Sequence, residues 1–303
     1  MTTRPFKQVD VFTAEPYRGN PLAVVLDGTG LDDAAMQRFA QWTNLSETTF
    51  LLPPTDPAAD YRVRIFTPGS ELPFAGHPTL GSCHAWLQAG GKPKTAGRVV
   101  QECGAGLVSI RQNAGRFAFA APALRRSAPS PTLLAKVAAA LKLKASQIVA
   151  AQLLDNGPVW LGLLLADADT VLTLQPDHRA LKELGQKVGV AGMPATTEPS
   201  LLISRSNREA RAFAPVAPAG ETAAIEVRAF AAPVGIEEDP VTGSFNASLA
   251  QWLIADGHLP ERYLAAQGQC LGRDGRVHIE RDADGQVWVG GDSVTCIDGQ
   301  VAL

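Results

Sequence analysis

Glu71-Leu-Pro-Phe-Ala-Gly-His-Pro-Thr79 and Glu238-Asp-Pro-Val-Thr-Gly-Ser-Phe-Asn246 share one order: Pro-x-x-Gly, a polar side chain, then an apolar run. The runs are Thr79-Leu-Gly-Ser-Cys-His-Ala-Trp-Leu-Gln-Ala89 and Ala247-Ser-Leu-Ala-Gln-Trp-Leu-Ile-Ala255, and each stops at glycine, Gly90-Gly91 and Gly257. Both read as helices. Glycine at a helix start lets the backbone approach a ligand, and the unpaired N–H groups of the first turn favour an anion. One copy would describe an ordinary N-capped core helix. Two copies, offset by 243 − 76 = 167 residues, point to a duplicated unit with a ligand cleft between its halves.

The elements around these helices are short strands. Val9–Thr13 alternates, Leu22–Leu26 is apolar, and Tyr61-Arg-Val-Arg-Ile-Phe66 has the period-two pattern of a half-buried strand. Asp32 and Asp33 open a helix over 34–43. Residues 97–103 and 106–111 form a hairpin, followed by a strand at 116–120. Prolines 122, 129 and 131 then mark a boundary. Beyond it the pattern predicts a helix over 133–143, a buried strand at 159–165 and an exposed helix from His178 to Val188. Strands follow at 200–204, 226–230, 277–280, 287–290 and 294–297, with a surface loop at 214–220. The expected class is α+β: two similar domains, each a curled sheet around a central helix, with the active-site cleft between them. The N-terminal domain takes residues 1–120, completed by about 288–303, and the C-terminal domain takes 121–287.

Composition narrows the function. Hydrophobic content of 46%, charged content of 19% and a net charge of −3 describe a soluble globular protein with no call for nucleic acid or an anionic membrane. With no apolar run of spanning length and no secretory leader, the expected location is cytoplasmic. The four cysteines (83, 103, 270, 296) and five histidines (77, 84, 178, 258, 278) show no metal-ligand spacing, and no nucleotide-binding glycine motif occurs. No metal or cofactor is expected. Glu47, between hydroxyl neighbours in a segment turning apolar, reads on composition alone as a solvated strand-edge glutamate; burial beside apolar walls would instead raise its pKa into the range useful for acid–base work.

Asn44-Leu-Ser-Glu-Thr-Thr-Phe50, Arg64-Ile-Phe-Thr-Pro68 and the two stretches quoted first resemble the signatures of the phenazine-biosynthesis isomerase (PhzF-like) family. Gly19-Asn-Pro-Leu-Ala23, Gln267-Gly268 and Gly272-Arg273 add to the likeness, which is spread over nearly the whole chain. The resemblance implies the diaminopimelate-epimerase-like fold, a homodimer, and cofactor-independent proton transfer between carbons of a small carboxylated substrate. It gives Glu47 the catalytic role and makes His77, Asp239, Ser244, Gly76, Gly243 and Asn20 substrate-binding. The activity it implies is similar to that of trans-2,3-dihydro-3-hydroxyanthranilate isomerase, with the substrate left open. A two-cysteine epimerase is the alternative within enzymes, since Cys103-Gly-Ala-Gly106 has a thiol beside glycines, and a non-catalytic carboxylate-binding protein is the alternative outside them.

Overall fold

In the computed structural model, residues 2–113, 115–194 and 222–303 are described. The first half of the chain runs β1 (Thr3–Val11), β2 (Asn20–Val25), α1 (Asp33–Thr43), β3 (Thr48–Leu52), β4 (Tyr61–Phe66), β5 (Glu71–Leu72), α2 (Gly76–Gln88), β6 (Arg98–Cys103), β7 (Gly106–Asn113) and β8 (Arg116–Ala120). The second half runs β9 (Arg125–Ser127), α3 (Pro131–Ala140), β10 (Ile148–Asp155), β11 (Val159–Leu165), α4 (Ala168–Thr173), α5 (His178–Leu184), β12 (Lys187–Gly192), β13 (Ile225–Ala231), β14 (Ile236–Asp239), α6 (Gly243–Ala255), β15 (Arg262–Gln267), β16 (Gly275–Arg281), β17 (Val287–Gly291) and β18 (Ser293–Ala302).

Strand pairing carries the duplication that the two glycine motifs announce. One run is β18-β1-β2-β3-β4-β6-β7-β8, with β2/β3 and β4/β6 parallel and the remaining neighbours antiparallel. The other run is β9-β10-β11-β12-β13-β15-β16-β17, with β11/β12 and β13/β15 parallel and the rest antiparallel. The small strands β5 and β14 hang on β4 and β13 in the same way. The outer strand of each run comes from just beyond the other half: β9 follows β8, and β18 follows β17. The two runs join where β8 meets β17, Phe117 to Ala120 against Gly291 to Trp288.

Each sheet curls around one helix. In α2 residues 76–83 and 85 are buried, and in α6 residues 243, 245–250 and 252–254 are buried, so both are covered almost all round rather than on one stripe. Small residues make this possible. A side chain at Gly81 would run into Leu22 and Val11, and one at Gly189 of β12 would strike the Phe245 ring. A single apolar core threads both halves, from Val9, Leu22, Leu80 and Phe119 to Phe245, Trp252 and Val289. The architecture is α+β, as the pattern of short strands and two long apolar helices implies.

Several elements differ from the pattern. The helix expected over 178–188 ends at Leu184, because Gly185 takes the left-handed conformation (φ 65°) that closes a helix. Lys187 then opens β12, a strand that pairs in parallel with β11. Strands β10 and β15 also form, in stretches where no element was expected. The strand at 200–204 and the loop at 214–220 lie outside the described residues.

Candidate active site

The two central helices meet head to head. A methyl group on Gly243 would sit 3.2 Å from the Gly76 Cα and 3.3 Å from the His77 nitrogen. Neither start is capped by a side chain: the residues before the helices, Ala75 and Thr242, leave the first-turn N–H groups open. Proline at 78 removes one donor from α2, whereas α6 keeps Gly243, Ser244 and Phe245. Two positive helix ends thus converge on one point, an arrangement suited to a carboxylate.

Glu47 stands at the foot of β3 and faces that point. Its side chain is 14% exposed, and its Oε2 lies 3.6 Å from Nε2 of His77. Both atoms are buried, and neither has a hydrogen-bond partner. Two such atoms facing each other leave a donor or acceptor on each side for a proton or a ligand. Burial in an apolar pocket pushes the Glu47 carboxyl up to about 8, the Asp239 charge adds to the rise, and Lys187 opposes it. His77 is pushed down to about 3 by burial and stays neutral at physiological pH. At neutral pH Glu47 therefore samples both its acid and base forms beside an uncharged imidazole.

Asp239 closes the far side, from the end of β14. Its Oδ1 accepts from the Asn20 amide at 2.9 Å and its Oδ2 from the Thr242 hydroxyl at 2.6 Å. Burial raises this carboxyl to about 6, and the Thr242 and Asn20 hydrogen bonds hold it back. Asn20 also donates to the Val241 carbonyl at 2.9 Å, so its NH2 group braces the second opening, while its Oδ1 is buried without a partner. Gln267 clamps the same loop: it accepts from the Thr242 N–H and the Asn246 amide, and donates to the Asp239 carbonyl and the Thr242 hydroxyl. Ser244 receives the Trp160 indole N–H at 3.2 Å on its hydroxyl and the Asn156 amide at 3.0 Å on its carbonyl.

Glu47, His77 and Gly76 thus come together with Asp239, Gly243 and Ser244, and Asn20 acts on Asp239. Trp160, Asn156 and Lys187 were not legible as site residues. They sit on or beside β10, β11 and β12, where only the parallel pairing of Trp160 with Lys187 brings them to the start of α6. Cys103 is buried at the end of β6 and donates to the Gly106 carbonyl, with its thiol pushed up by burial. Among the described residues no group of His, Cys, Asp and Glu is arranged to hold a metal ion, and no helix is long and apolar enough to cross a membrane.

A family model described as phenazine biosynthesis-like protein, PhzC-PhzF, matches residues 9–299. The chain is 34% identical to antisense-enhancing sequence 1 of Schizosaccharomyces pombe, over 99% of each chain. It is 31% identical to the trans-2,3-dihydro-3-hydroxyanthranilate isomerase of Pseudomonas aeruginosa, covering 97% of this chain and 98% of that one. Among solved structures, a phenazine biosynthesis protein of the PhzF family from Enterococcus faecalis matches over 100% of both chains, with a TM-score of 0.75 and 25% identity.

Proposed function

The chain belongs to the phenazine biosynthesis-like (PhzC-PhzF) family, whose relatives include named isomerases, and on that premise we propose that it is an isomerase that moves a proton between two carbons of a small carboxylated substrate. The observation that carries the reading is the buried, unpartnered Glu47 Oε2, 3.6 Å from His77 and facing two abutting helix starts.

The substrate carboxylate is held by the N–H groups of Gly76, His77, Gly243 and Ser244. The ionised form of Glu47 takes a proton from a carbon next to an unsaturated group. The C–H electron pair passes into that group as an enol or enolate, and the neutral His77 imidazole offers it a hydrogen bond. Glu47, now protonated, returns the proton to a different carbon, and the double bond shifts. One C–H bond breaks and one forms, with no net oxidation, so the step requires no electron acceptor. A general base contributes about 10²–10⁴-fold in rate, and positioning by the helix starts supplies more.

A two-thiol epimerase needs a cysteine on each side of the reacting carbon, whereas the two helix starts carry His77 and Ser244. Cofactor independence, a homodimeric assembly, a cytoplasmic location and a division into residues 1–120 with 288–303 and 121–287 belong to the same proposal. The matching order of strands in the two runs supports two such units but sets the return to the first one after β17 (Val287–Gly291), which ends the second run, so only β18 completes the first.

The test is proton exchange in D2O, followed by NMR, with trans-2,3-dihydro-3-hydroxyanthranilate and a panel of small unsaturated carboxylates. Deuterium should enter the product carbon with the native protein and not with Glu47→Gln. Near-native exchange by Glu47→Gln would overturn the mechanism.

A further inference from the structure

Lys187 is a half-buried cation whose charge acts on Glu47. It opens β12, and its parallel partner in β11 is Trp160. The Lys187 ammonium lies 5.4 Å from the centre of the Trp160 ring. That ring is fixed on its other sides: it is 3% exposed, packs 5.4 Å from the Phe245 ring, and donates its N–H to Ser244 at the start of α6. The stack therefore places a positive charge next to the second helix start and on the side from which it acts on Glu47. Beside it, Asn156 spends its amide NH2 on the Ser244 carbonyl and leaves a buried Oδ1 without a partner. An ammonium has three donors, and an aromatic face occupies one side of it only.

Resting on the proposed carboxylate-anchored isomerase, we propose that Lys187 is a specificity residue that contacts the substrate, its ammonium receiving a second acidic group beyond the carboxylate held at the helix starts. The carboxylate at Gly76 and Gly243 has its own backbone donors. A second negative group reaching toward Trp160 would meet Lys187, whose ammonium lies 5.4 Å from that ring and whose charge acts on Glu47. The chemical class selected is a small dicarboxylate, or a carboxylate bearing another ionised acidic group. A lysine here is also a point charge on a flexible stem, which tolerates acids of slightly different length better than a guanidinium fork would.

Binding without turnover tests this. Calorimetric titrations would compare succinate, glutarate and adipate with butyrate, valerate and hexanoate, for the native protein, Lys187→Met and Lys187→Arg, each checked for folding by thermal melting. In the native protein at least one diacid should bind about tenfold more tightly than the monoacid of equal length, as one added charge-assisted contact gives. Lys187→Met should erase that advantage and leave monoacid affinity within about twofold, and Lys187→Arg should recover part of it. The assignment is overturned if the native protein shows no diacid preference, if the preference survives in Lys187→Met, or if that variant weakens mono- and diacids alike. Monoacid binding with no diacid preference removes Lys187 and leaves the isomerase reading standing. Failure of every acid to bind removes both. Normal turnover by Glu47→Gln alongside the expected Lys187 results removes the mechanism alone.

Discussion

Gly76 and Gly243 touch: a side chain on Gly243 would press within 3.2 Å of the Gly76 Cα, although 243 − 76 = 167 residues separate them. Glycine at both positions lets the two positive helix ends come this close. Gly243→Ala should fold with a small change in stability, since the contact asks for a shift of only a few tenths of an ångström, but it should weaken carboxylate binding at least about tenfold. Gly76→Ala should be worse. Its methyl would also meet the buried Phe119 ring at 2.7 Å, an overpacking that costs about 1–3 kcal/mol. Urea denaturation and carboxylate titration of the two variants check the order.

Replacing Glu47 with Gln keeps shape and removes the proposed base. Turnover should fall by about two to four orders of magnitude while binding of a carboxylate analogue persists. Single-turnover kinetics beside analogue titration distinguishes this from a binding defect.

The same variant should reveal a pH dependence of stability. The Glu47 carboxyl is raised from 4.5 to about 8 in the folded protein, so the fold holds this proton more tightly than the unfolded chain does. That contribution is complete below about pH 4.5 and is lost as pH rises to about 8. Glu47→Gln lacks the loss. Its unfolding free energy, measured by urea denaturation, should therefore climb relative to the native protein between about pH 5 and 8 and hold level above, by an amount on the order of a few kcal/mol.

Asn20→Ala removes both donors that tie β2 to the second opening. Loss of two buried hydrogen bonds, with the Asp239 and Val241 oxygens left short of a partner, should cost about 1–3 kcal/mol. The Asp239 carboxyl should rise further, because the Asn20 hydrogen bond holds it down. Chemical denaturation measures the first effect, and NMR titration of the Asp239 side chain measures the second.

The site was legible where its chemistry is local. A glycine at a helix start, a polar residue after it and a lone glutamate in an apolar stretch are readable from neighbours alone, which singled out Glu47 and His77 as candidates, whereas Asp239 entered only through the family likeness. Lys187 and Trp160 were not, because nothing near them in sequence announces a site. Their place comes from a parallel pairing of β11 and β12 that ordinary strand patterns do not encode. The extension of the α5 helix to Val188 hid Lys187 further, although Gly185, a residue suited to left-handed closure, was the available stop signal. Strands β10 and β15 were missed for a related reason. Their runs, Ile-Val-Ala-Ala-Gln-Leu-Leu-Asp and Arg-Tyr-Leu-Ala-Ala-Gln, are rich in Ala and Leu, which favour helix, and burial in the sheet overrides that preference.

The exchange of outer strands also sets an order of events during synthesis. Strand β1 lies between β2 and β18, and its last residue, Val11, pairs with Ser293, 293 − 11 = 282 positions later. While the chain is being made, β1 can join β2 at once but must keep its other edge open until nearly everything else has emerged. Contacts of such separation close slowly, and an open edge is a template for any neighbouring chain. The nascent first half is thus most exposed to misassembly in the interval before β18 arrives, and the strand that ends this interval is the one that completes the sheet around Gly76.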